Sequence, residues 1–439
     1  MRKLHTILAL VLVFSMVVSF AGCKNTTGGS KGTTSKEPVE LTLWVFNELH
    51  LKMYEFGEKA YNEKHSDAPI KVNMEVYPNA DMHNKLLIAY QSGTGAPDIA
   101  DLNLNFFTNF VSGGDWLAPL NDVVEKAFSN WNFEKSRFEL YKIGDNYYGL
   151  PTHVGATVVY YNMEIIEKAG LTIEDINKIE TWDQYCEIGK TVLEKTGIPM
   201  TCFETQNQRP FWPLIVQHGG DYLTKESEVI LDSDSNIEVL EYMKKMWDDG
   251  IAIAAGGGST AAEEFFTFMD SGSVASLIMP AWYMSRFLSY MPNLKGKIAI
   301  RPMPVFKAGE PRTVGIGGTA TAVSKSSKYL DIAKEFLYES KLTYDAAVNI
   351  WESLAFDPVN LDAWKDEKLL KPSEYFYNES FFEIMAPYMS GAVSPANAKL
   401  SADAQDVVMN SVMPDVFISG SKTPREALVS AANELRAKQ

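Results

Sequence analysis

Several aromatic side chains stand where predicted strands and helices meet loops, and rings in such places can bind small polar molecules. An aromatic face stacks on the apolar face of a sugar ring, while the hydroxyls around that ring need polar partners. The alternative for each of these rings is ordinary packing in a protein core. The candidates are Trp44, Phe106, Phe107, Trp116, Trp212, Trp282, Tyr283, Trp351 and Phe356.

Trp282 has the best-defined position among these aromatic residues. It follows the apolar run 274–279, which predicts a buried strand, and Pro280 ends that pattern. In open α/β sheets, ligands bind beyond the carboxyl ends of the strands. The Trp282 ring therefore faces either a binding cleft or the core side of a following helix, to which Tyr283 and Phe287 would also contribute.

The sequence contains no motif that indicates catalysis or a metal centre. A phosphate-cradling Gly-x-x-x-x-Gly-Lys loop and a Gly-x-Ser-x-Gly nucleophile turn are both missing. The histidines beyond the leader do not pair at metal-ligand spacing. They are His50, His65, His83, His153 and His218. A carboxylate pair for glycoside hydrolysis stays open, because space rather than sequence sets it. We therefore predict no cofactor, no metal and no catalytic residue.

Cys186 and Cys202 are the cysteines that follow the N-terminal segment, and two thiols are too few for a disulfide framework. Cys186 lies in a predicted helix and Cys202 in a strand-like run. This placement favours two buried thiols, while a bond between them stays open.

Cys23 ends a segment with the order of an export signal. Arg2 and Lys3 give it a basic start, 4–21 carries no carboxylate or ammonium group, and two small residues precede the thiol. The segment resembles the processing box of bacterial lipoproteins, in which the thiol receives a diacylglyceryl group and becomes the mature N-terminus. The resemblance implies lipidation at Cys23 and removal of the signal peptide 1–22. The alternative is a plain secretory signal with an incidental cysteine.

Residues 23–38 indicate a flexible tether, because the segment has no large apolar side chain with which to build a core. Two acyl chains hold a protein on a bilayer stably. We therefore expect a globular body held close to the outside of a membrane. Loss of Arg2 and Lys3 with the leader changes the net charge from −16 to −18, and such an acidic body excludes nucleic-acid binding through basic stripes.

The chain beyond the tether alternates predicted strands and helices, which is typical of an α/β protein. The elements predicted first are strands 39–46, 70–77 and 97–100 and helices 50–66 and 79–91. Gly93 ends the second helix. Capping boxes predict further helix starts at Thr181-Trp182-Asp183-Gln184, Ser235-Asn236-Ile237-Glu238 and Thr423-Pro424-Arg425-Glu426.

Short motifs follow one another in a recognisable order between about residues 40 and 436. They are Gly95-Ala96-Pro97-Asp98-Ile99, Gly114-Asp115-Trp116-Leu117, Tyr148-Gly149-Leu150-Pro151, Tyr160-Tyr161-Asn162, Phe268-Met269-Asp270-Ser271-Gly272 and Gly317-Gly318-Thr319-Ala320. Each motif alone is weak, and their order carries the signal. Together they resemble the extracellular solute-binding proteins of the maltose-binding type.

The resemblance implies an α/β, two-lobed periplasmic-binding-protein-like fold of type II with a hinge between the lobes. Lobe 1 would hold 39–152 plus 319–371, and lobe 2 would hold 153–318 plus 372–439. Crossovers between the lobes are expected near 151–157, 314–319 and 369–376.

Site residues follow where positions match this family. Glu48 matches an acidic sugar contact, and Trp282 matches a stacking tryptophan. Gly155 departs from a second acidic contact of the maltose type, so His153 nearby is the candidate hydroxyl partner. The predicted ligand-binding residues are Phe46, Asn47, Glu48, Asn103, Asn105, His153, Trp212, Trp282, Tyr283, Gly317 and Gly318.

The resemblance also implies a function and partners. We expect a lipid-anchored monomer on the outer face of the bacterial cytoplasmic membrane that captures a carbohydrate by hinge closure. Its partners would be the permease subunits of an ABC importer. One open alternative is the same fold with a non-sugar solute, and an anionic solute would need a charged clamp from only eight arginines. The other is a surface glycan-degrading enzyme, which turnover of a sugar panel would identify.

Overall fold

The computed structural model describes residues 37–439. The predicted lipidation of Cys23, the leader 1–22 and the tether as far as residue 36 lie outside the described residues. Strands and helices alternate along 37–439, which confirms the α/β class. Within that range, no helix combines the length and the apolar character needed to cross a bilayer.

The described chain forms twelve strands and nineteen α-helices. The strands are β1 Val39–Val45, β2 Ile70–Val76, β3 Ile99–Asn103, β4 Lys142–Ile143, β5 Asn146–Tyr147, β6 Leu150–Pro151, β7 Thr157–Asn162, β8 Thr201–Phe203, β9 Ala252–Ala254, β10 Ser276–Pro280, β11 Ile298–Pro302 and β12 Thr319–Val323. The helices are α1 Leu51–Lys64, α2 Asn79–Ser92, α3 Leu104–Ser112, α4 Asn121–Asn130, α5 Lys135–Glu139, α6 Met163–Lys168, α7 Ile173–Asn177, α8 Trp182–Thr196, α9 Phe211–Gln217, α10 Asp234–Asp248, α11 Glu263–Asp270, α12 Met284–Tyr290, α13 Leu330–Lys341, α14 Tyr344–Leu354, α15 Glu367–Leu370, α16 Phe381–Met385, α17 Ser401–Val407, α18 Met413–Phe417 and α19 Pro424–Arg436. A π turn, Val408–Val412, joins α17 to α18.

The first sheet has five strands in the order β2-β1-β3-β12-β6. β1 runs parallel to β2, with Val39 opposite Ile70, and parallel to β3, with Leu43 opposite Ile99. β12 is antiparallel to both β3 and β6. The predicted strands are confirmed, and the third begins at Ile99. Since β1 and β3 are parallel neighbours, the residues after Val45 and after β3 emerge at one edge of the sheet.

The second sheet has three antiparallel strands in the order β10-β7-β11. Ile278 lies opposite Val159, and Ile300 lies opposite Tyr160. Every residue of β7 is buried, as expected of a central strand covered on both faces. The strand predicted from the apolar run 274–279 is confirmed as β10, and it includes Pro280 as its last residue.

The chain passes from the first sheet to the second between β6 and β7 and returns between β11 and β12, in agreement with the first two predicted crossovers. The two crossovers are paired with each other. The amide of Ile316 donates to the carbonyl of Gly155 at 2.9 Å, and that of Thr157 donates to Val314 at 2.9 Å. The two connections therefore lie side by side as a narrow double link between the sheets.

The structure tests the three helix starts that were predicted from capping boxes. The boxes at Thr181 and Thr423 are confirmed. The box predicted at Ser235 is wrong, because Ser233 holds the cap position and its hydroxyl accepts the amide of the third helical residue at 3.4 Å. Ser235 lies inside α10, where its hydroxyl donates to the carbonyl of His218 at 2.8 Å.

The two cysteines are free thiols in the elements predicted for them. Cys202 is buried in β8, as expected. The expectation of burial is wrong for Cys186, which is only half-buried on α8 because it faces the hydroxyl of Tyr242, at 3.3 Å, near the surface.

Candidate functional site

A cleft of about 310 Å³ is lined by residues from both sheets and from the crossovers between them. Most of the predicted ligand-binding residues lie in its wall. They are Phe46, Asn47, Asn103, Asn105, His153, Trp212, Trp282, Gly317 and Gly318. The rule that ligands bind beyond the carboxyl ends of strands thus leads to one cavity from several separate segments.

The first sheet contributes asparagines whose side-chain oxygens are already used. The Oδ1 of Asn47, just beyond β1, accepts the amide of Leu49 at 3.1 Å. The Oδ1 of Asn103, at the end of β3, accepts the amide of Asn105 at 3.0 Å and begins α3. Because a side-chain amide also has two N–H donors, these caps fix the side chains and leave their donors for a ligand.

A buried histidine holds the end of β3 in place. The Nε2 of His83 accepts the amide of Asn103 at 2.9 Å, and its Nδ1 lies 2.6 Å from the carbonyl of Asn79. Burial lowers the pKa of His83 to about 4, so the ring is neutral near pH 7 and has one donor and one acceptor. Phe106 stacks on it at 4.4 Å between ring centres. His83 is therefore a support of the cleft wall.

His153 is a buried polar side chain without a protein partner. It is 5% exposed, and neither ring nitrogen has a hydrogen-bond partner among the described residues. Burial lowers the pKa of His153 well below its usual value, and the nearby charges of Arg137 and Lys341 act in the same direction. The neutral ring offers one donor and one acceptor. A buried polar group without a partner costs free energy. A ligand hydroxyl that hydrogen-bonds to this ring would remove that cost, so the ring is suited to bind one.

Trp282 lies on the side of the cleft formed by the second sheet, in the helical turn Ala281–Tyr283 that follows β10. Its indole is half-buried, and its Nε1 donates to the carbonyl of Ile316 at 3.1 Å. The Arg209 guanidinium lies 5.7 Å from the ring centre. A side chain at Gly317 would come within 3.1 Å of Nε1. The ring is thus oriented at one edge by the second crossover while part of its surface remains open.

Two predicted ligand-binding residues lie outside the cleft lining. Glu48 is exposed, because Asn47 caps the helical turn that begins at Glu48 and turns that side chain outward. Tyr283 is 2% exposed, and its hydroxyl donates to the carbonyl of Thr260 at 2.7 Å. One residue further along a helical turn than Trp282, it points into the core.

The other aromatic candidates divide between core and cleft. Trp44 and Phe107 are buried in the core. Trp116 stacks on Tyr90 at 5.6 Å between ring centres, away from the cleft. Phe356 lines the cleft and meets His153 edge to face at 5.0 Å.

Trp212 lines the cleft although most of its ring belongs to the core. It is 4% exposed and stacks on Tyr222 at 5.3 Å between ring centres. Its Nε1 donates to Asp221 at 3.0 Å. Burial raises the pKa of that carboxyl to about 6, against the lowering effect of its hydrogen bonds. Only an edge of Trp212 is therefore available to a ligand.

A buried arginine binds the second crossover. Arg137, on α5, is fully buried, and its Nη1 donates to the carbonyl of Gly315 at 2.7 Å. Its Nη2 donates to the carbonyl of Gly317, and Nη1 also lies 3.1 Å from the hydroxyl of Ser394. Gly318 has a φ of 153°, and a side chain there would collide with the hydroxyl of Tyr141. The crossover thus passes close to Arg137 because glycines occupy it.

A buried carboxylate binds the first crossover in the same way. Asp357 accepts the amide of Gly155 at 3.0 Å and that of Ala156 at 2.8 Å. Burial raises the pKa of Asp357 to about 7, against the lowering effect of these amides and of Arg137. A buried arginine and a buried aspartate therefore anchor the two halves of the double link.

The sequence reasoning missed part of the cleft lining. The missed residues are His50, Asn79, Asn207, Gln208, Arg209, Arg286, Ile316, Thr319 and Met409. A signal existed for the polar run 207–209, which follows the strand-like segment at Cys202. In residues 37–439, no group of three histidine, cysteine, aspartate or glutamate side chains is placed to hold a metal ion.

Comparison with known proteins locates the chain in one family. The sequence profile described as "Bacterial extracellular solute-binding protein" matches residues 48–338. The arabinooligosaccharide-binding protein of Bacillus subtilis (strain 168) is 41% identical over 444 residues, which cover 100% of both chains. The protein of the same name from Halalkalibacterium halodurans is 38% identical over 91% of this chain and 89% of its own.

A solved structure agrees with the fold. The GacH receptor of Streptomyces glaucescens superposes with a TM-score of 0.74 over 92% of this chain and 98% of its own, at 19% identity. The predicted two-lobed α/β fold of type II is thereby confirmed. The sequence relatives are named as binding proteins, and the fold comparison and the sequence comparison agree. The chain belongs to the family of bacterial extracellular solute-binding proteins.

Proposed function

We propose that this protein captures an arabino-oligosaccharide outside the cell and delivers it to the permease subunits of an ABC importer. The observation that carries the proposal is the cleft, which is lined both by a half-buried tryptophan ring, Trp282, and by the amide side chains of Asn47 and Asn103. This combination suits a sugar, because a ring face covers the apolar side while polar groups meet the hydroxyls. The names of the relatives with 41% and 38% identity support this ligand class.

Within this proposal the predicted residues of the cleft lining act as ligand contacts. Trp282 is the stacking platform, and the amides of Asn47 and Asn103 donate to hydroxyls. The glycines of the second crossover let the backbone approach the ligand. The protein would bind the sugar and release it unchanged, with no metal or cofactor.

Capture would proceed by closure of two lobes around the double link. The proposed lobes are 39–152 plus 319–371 and 153–318 plus 372–439. Contacts from both lobes favour the closed form, and the ligand shifts the balance only by its extra affinity for that form. The paired crossovers suit a hinge, because a few residues there absorb the rotation.

Calorimetry and thermal shift with a panel of sugars test the proposed ligand. We expect arabinotriose to bind the purified protein and to raise its melting temperature, because a ligand at about 100 times its Kd adds about 2.7 kcal/mol of stability. A panel of non-sugar solutes is the control. Binding of such a solute in place of every sugar, or sustained hydrolysis of a bound glycan, would contradict the proposal.

The replacement His153→Phe separates a ligand contact from a structural role. Phenylalanine keeps the shape of the ring and removes two buried polar atoms that lack protein partners, so we expect stability to be kept or raised. Affinity for arabinotriose should fall about tenfold, the equivalent of about 1.4 kcal/mol. Calorimetry and thermal melting of the one variant measure both. Unchanged affinity would remove His153 from the site.

Lipidation at Cys23 would keep the protein on the outer face of the bacterial cytoplasmic membrane. The protein would act there as a monomer. We expect the full chain, expressed in a bacterium, to fractionate with membranes, because a diacylglyceryl group provides two chains. Cys23→Ala should release the protein or leave it unprocessed, whereas Cys202→Ala should not change its fractionation. A Cys23→Ala protein that is cleaved and retained like the wild type would rule out the lipid anchor.

A further inference from the structure

The charged side chains of the cleft lining all come from basic residues. The lining contains the guanidinium groups of Arg209 and Arg286, and no aspartate or glutamate is among the described residues that form it. The whole chain carries 56 acidic residues against 40 lysines and arginines. The charged groups that line the cleft are therefore opposite in sign to the net charge of the chain, and the charge of Arg209 is partly balanced by Glu204, whose carboxylate lies 3.2 Å away.

Arg209 retains hydrogen-bonding capacity although a carboxylate is nearby. Its guanidinium forms an ion pair with Glu204, in which Nη2 donates to one carboxylate oxygen at 3.4 Å and Nε lies 3.2 Å from the other without making a hydrogen bond. Glu204 is already engaged by the amide and hydroxyl of Thr260, at 2.8 and 2.5 Å. A guanidinium has five N–H donors, so most of those of Arg209 remain for a ligand.

Arg286 forms no ion pair with a carboxylate among the described residues. It is half-buried, and its side chain makes one hydrogen bond there, from Nη1 to the hydroxyl of Ser285 at 3.0 Å. It follows Trp282 by four residues on continuous helical turns, and both side chains line the cleft. A half-buried guanidinium without a carboxylate partner is therefore held beside the proposed stacking platform.

We propose that the oligosaccharide taken by this cleft carries a carboxylate, as a uronic acid residue does, and that Arg286 and Arg209 bind it. The inference rests on the proposed function, since it specifies the ligand of the same site. Arginine presents parallel N–H donors that match the two oxygens of a carboxylate, and such charge-assisted pairs are about twice as strong as neutral hydrogen bonds. Arg209 lies over the Trp282 ring at 5.7 Å from its centre, and Arg286 follows Trp282 by four residues, so both guanidinium groups border the proposed stacking platform.

Arginine also donates hydrogen bonds to neutral hydroxyls. The charge of the ligand group distinguishes binding of a carboxylate from binding of a hydroxyl. Binding to a hydroxyl depends little on salt, whereas attraction between a guanidinium and a carboxylate in an open cleft weakens as salt screens it. The test compares two probes, arabinotriose bearing one glucosyl residue and arabinotriose bearing one glucuronosyl residue. They differ only at C6, which is a hydroxymethyl group in the first probe and a carboxylate in the second.

Calorimetry of the wild type should show that the glucuronosyl probe binds at least about tenfold more tightly than the glucosyl probe. The ratio of the two affinities should shrink between about 50 mM and about 500 mM NaCl. In Arg286→Gln the ratio should fall to less than about threefold. Arg425→Gln is the matched control, because Arg425 is an exposed arginine paired with Asp234 at 3.3 Å, and its ratio should equal that of the wild type.

Three negative results are distinguishable, and each contradicts a different claim. Equal or tighter binding of the glucosyl probe overturns the acidic ligand and leaves the proposed sugar-binding function in place. A preference for the glucuronosyl probe that survives in Arg286→Gln overturns the role of that arginine. Absence of binding by both probes and by arabinotriose itself overturns the proposed function, and the inference falls with it.

Discussion

Replacement of Trp282 by alanine is expected to weaken oligosaccharide binding about thirtyfold or more, because loss of a well-packed aromatic anchor costs about 2 kcal/mol or more. The lobe should stay folded, since the ring is half-buried and its one hydrogen bond goes to the carbonyl of Ile316. Removal of a fully buried ring would instead lower the free energy of unfolding by about 3–5 kcal/mol. Calorimetry with arabinotriose and thermal melting measure the two quantities on one sample.

Trp351→Ala is the matched control for this substitution. Trp351 is also half-buried, but it packs against Phe381 and Phe382, at 5.9 and 4.6 Å between ring centres, away from the cleft. Its loss should lower the melting temperature and leave affinity unchanged. If Trp282→Ala behaves like this control, with normal affinity and a sharply lowered melting temperature, the ring is part of the core.

Replacement of Arg137 by methionine is expected to lower the free energy of unfolding by about 3–5 kcal/mol. Its hydrogen bonds to Gly315 and Gly317 are made by a buried charged donor, and each such bond contributes about 1.5–3 kcal/mol. The change also removes the positive charge near the buried Asp357. Affinity for the sugar should fall as well, because the loosened crossover carries the carbonyl that orients Trp282.

Chemical denaturation measures this loss of stability, and Arg425→Met is its control. Arg425 is 59% exposed in a surface ion pair, and such pairs contribute about 0–1 kcal/mol. An Arg137→Met variant as stable as this control would mean that the guanidinium does not hold the double link together.

Much of the fold could be predicted because its signals are local. Alternating apolar residues gave β1 and β2, and Gly93 ends α2 with a φ of 70° that favours glycine. The start of α10 was missed by two residues because Ser233 and Ser235 are both good caps. Only the packing around His218 decides that Ser235 lies inside the helix.

The lining of the candidate cleft was predictable where a strand end leads directly into it. Phe46, Asn103 and Trp282 come after β1, at the end of β3 and after β10, and the sheet-edge rule finds them. Arg286 and Met409 reach the cleft from helices, so their position depends on how those helices pack.

The anchors of the double link could not be predicted from the sequence. A charged residue in a short helix, such as Arg137, has the pattern of a surface residue. Its burial and that of Asp357 result from long-range contacts with the crossovers.

Small-angle X-ray scattering of the mature protein tests the central claim of capture by closure most directly. With saturating arabinotriose, the radius of gyration should be smaller than without sugar, because the lobes rotate together around the double link. Trp282→Ala at the same sugar concentration should stay closer to the open profile. An unchanged wild-type profile at a concentration where calorimetry shows full binding would contradict the account.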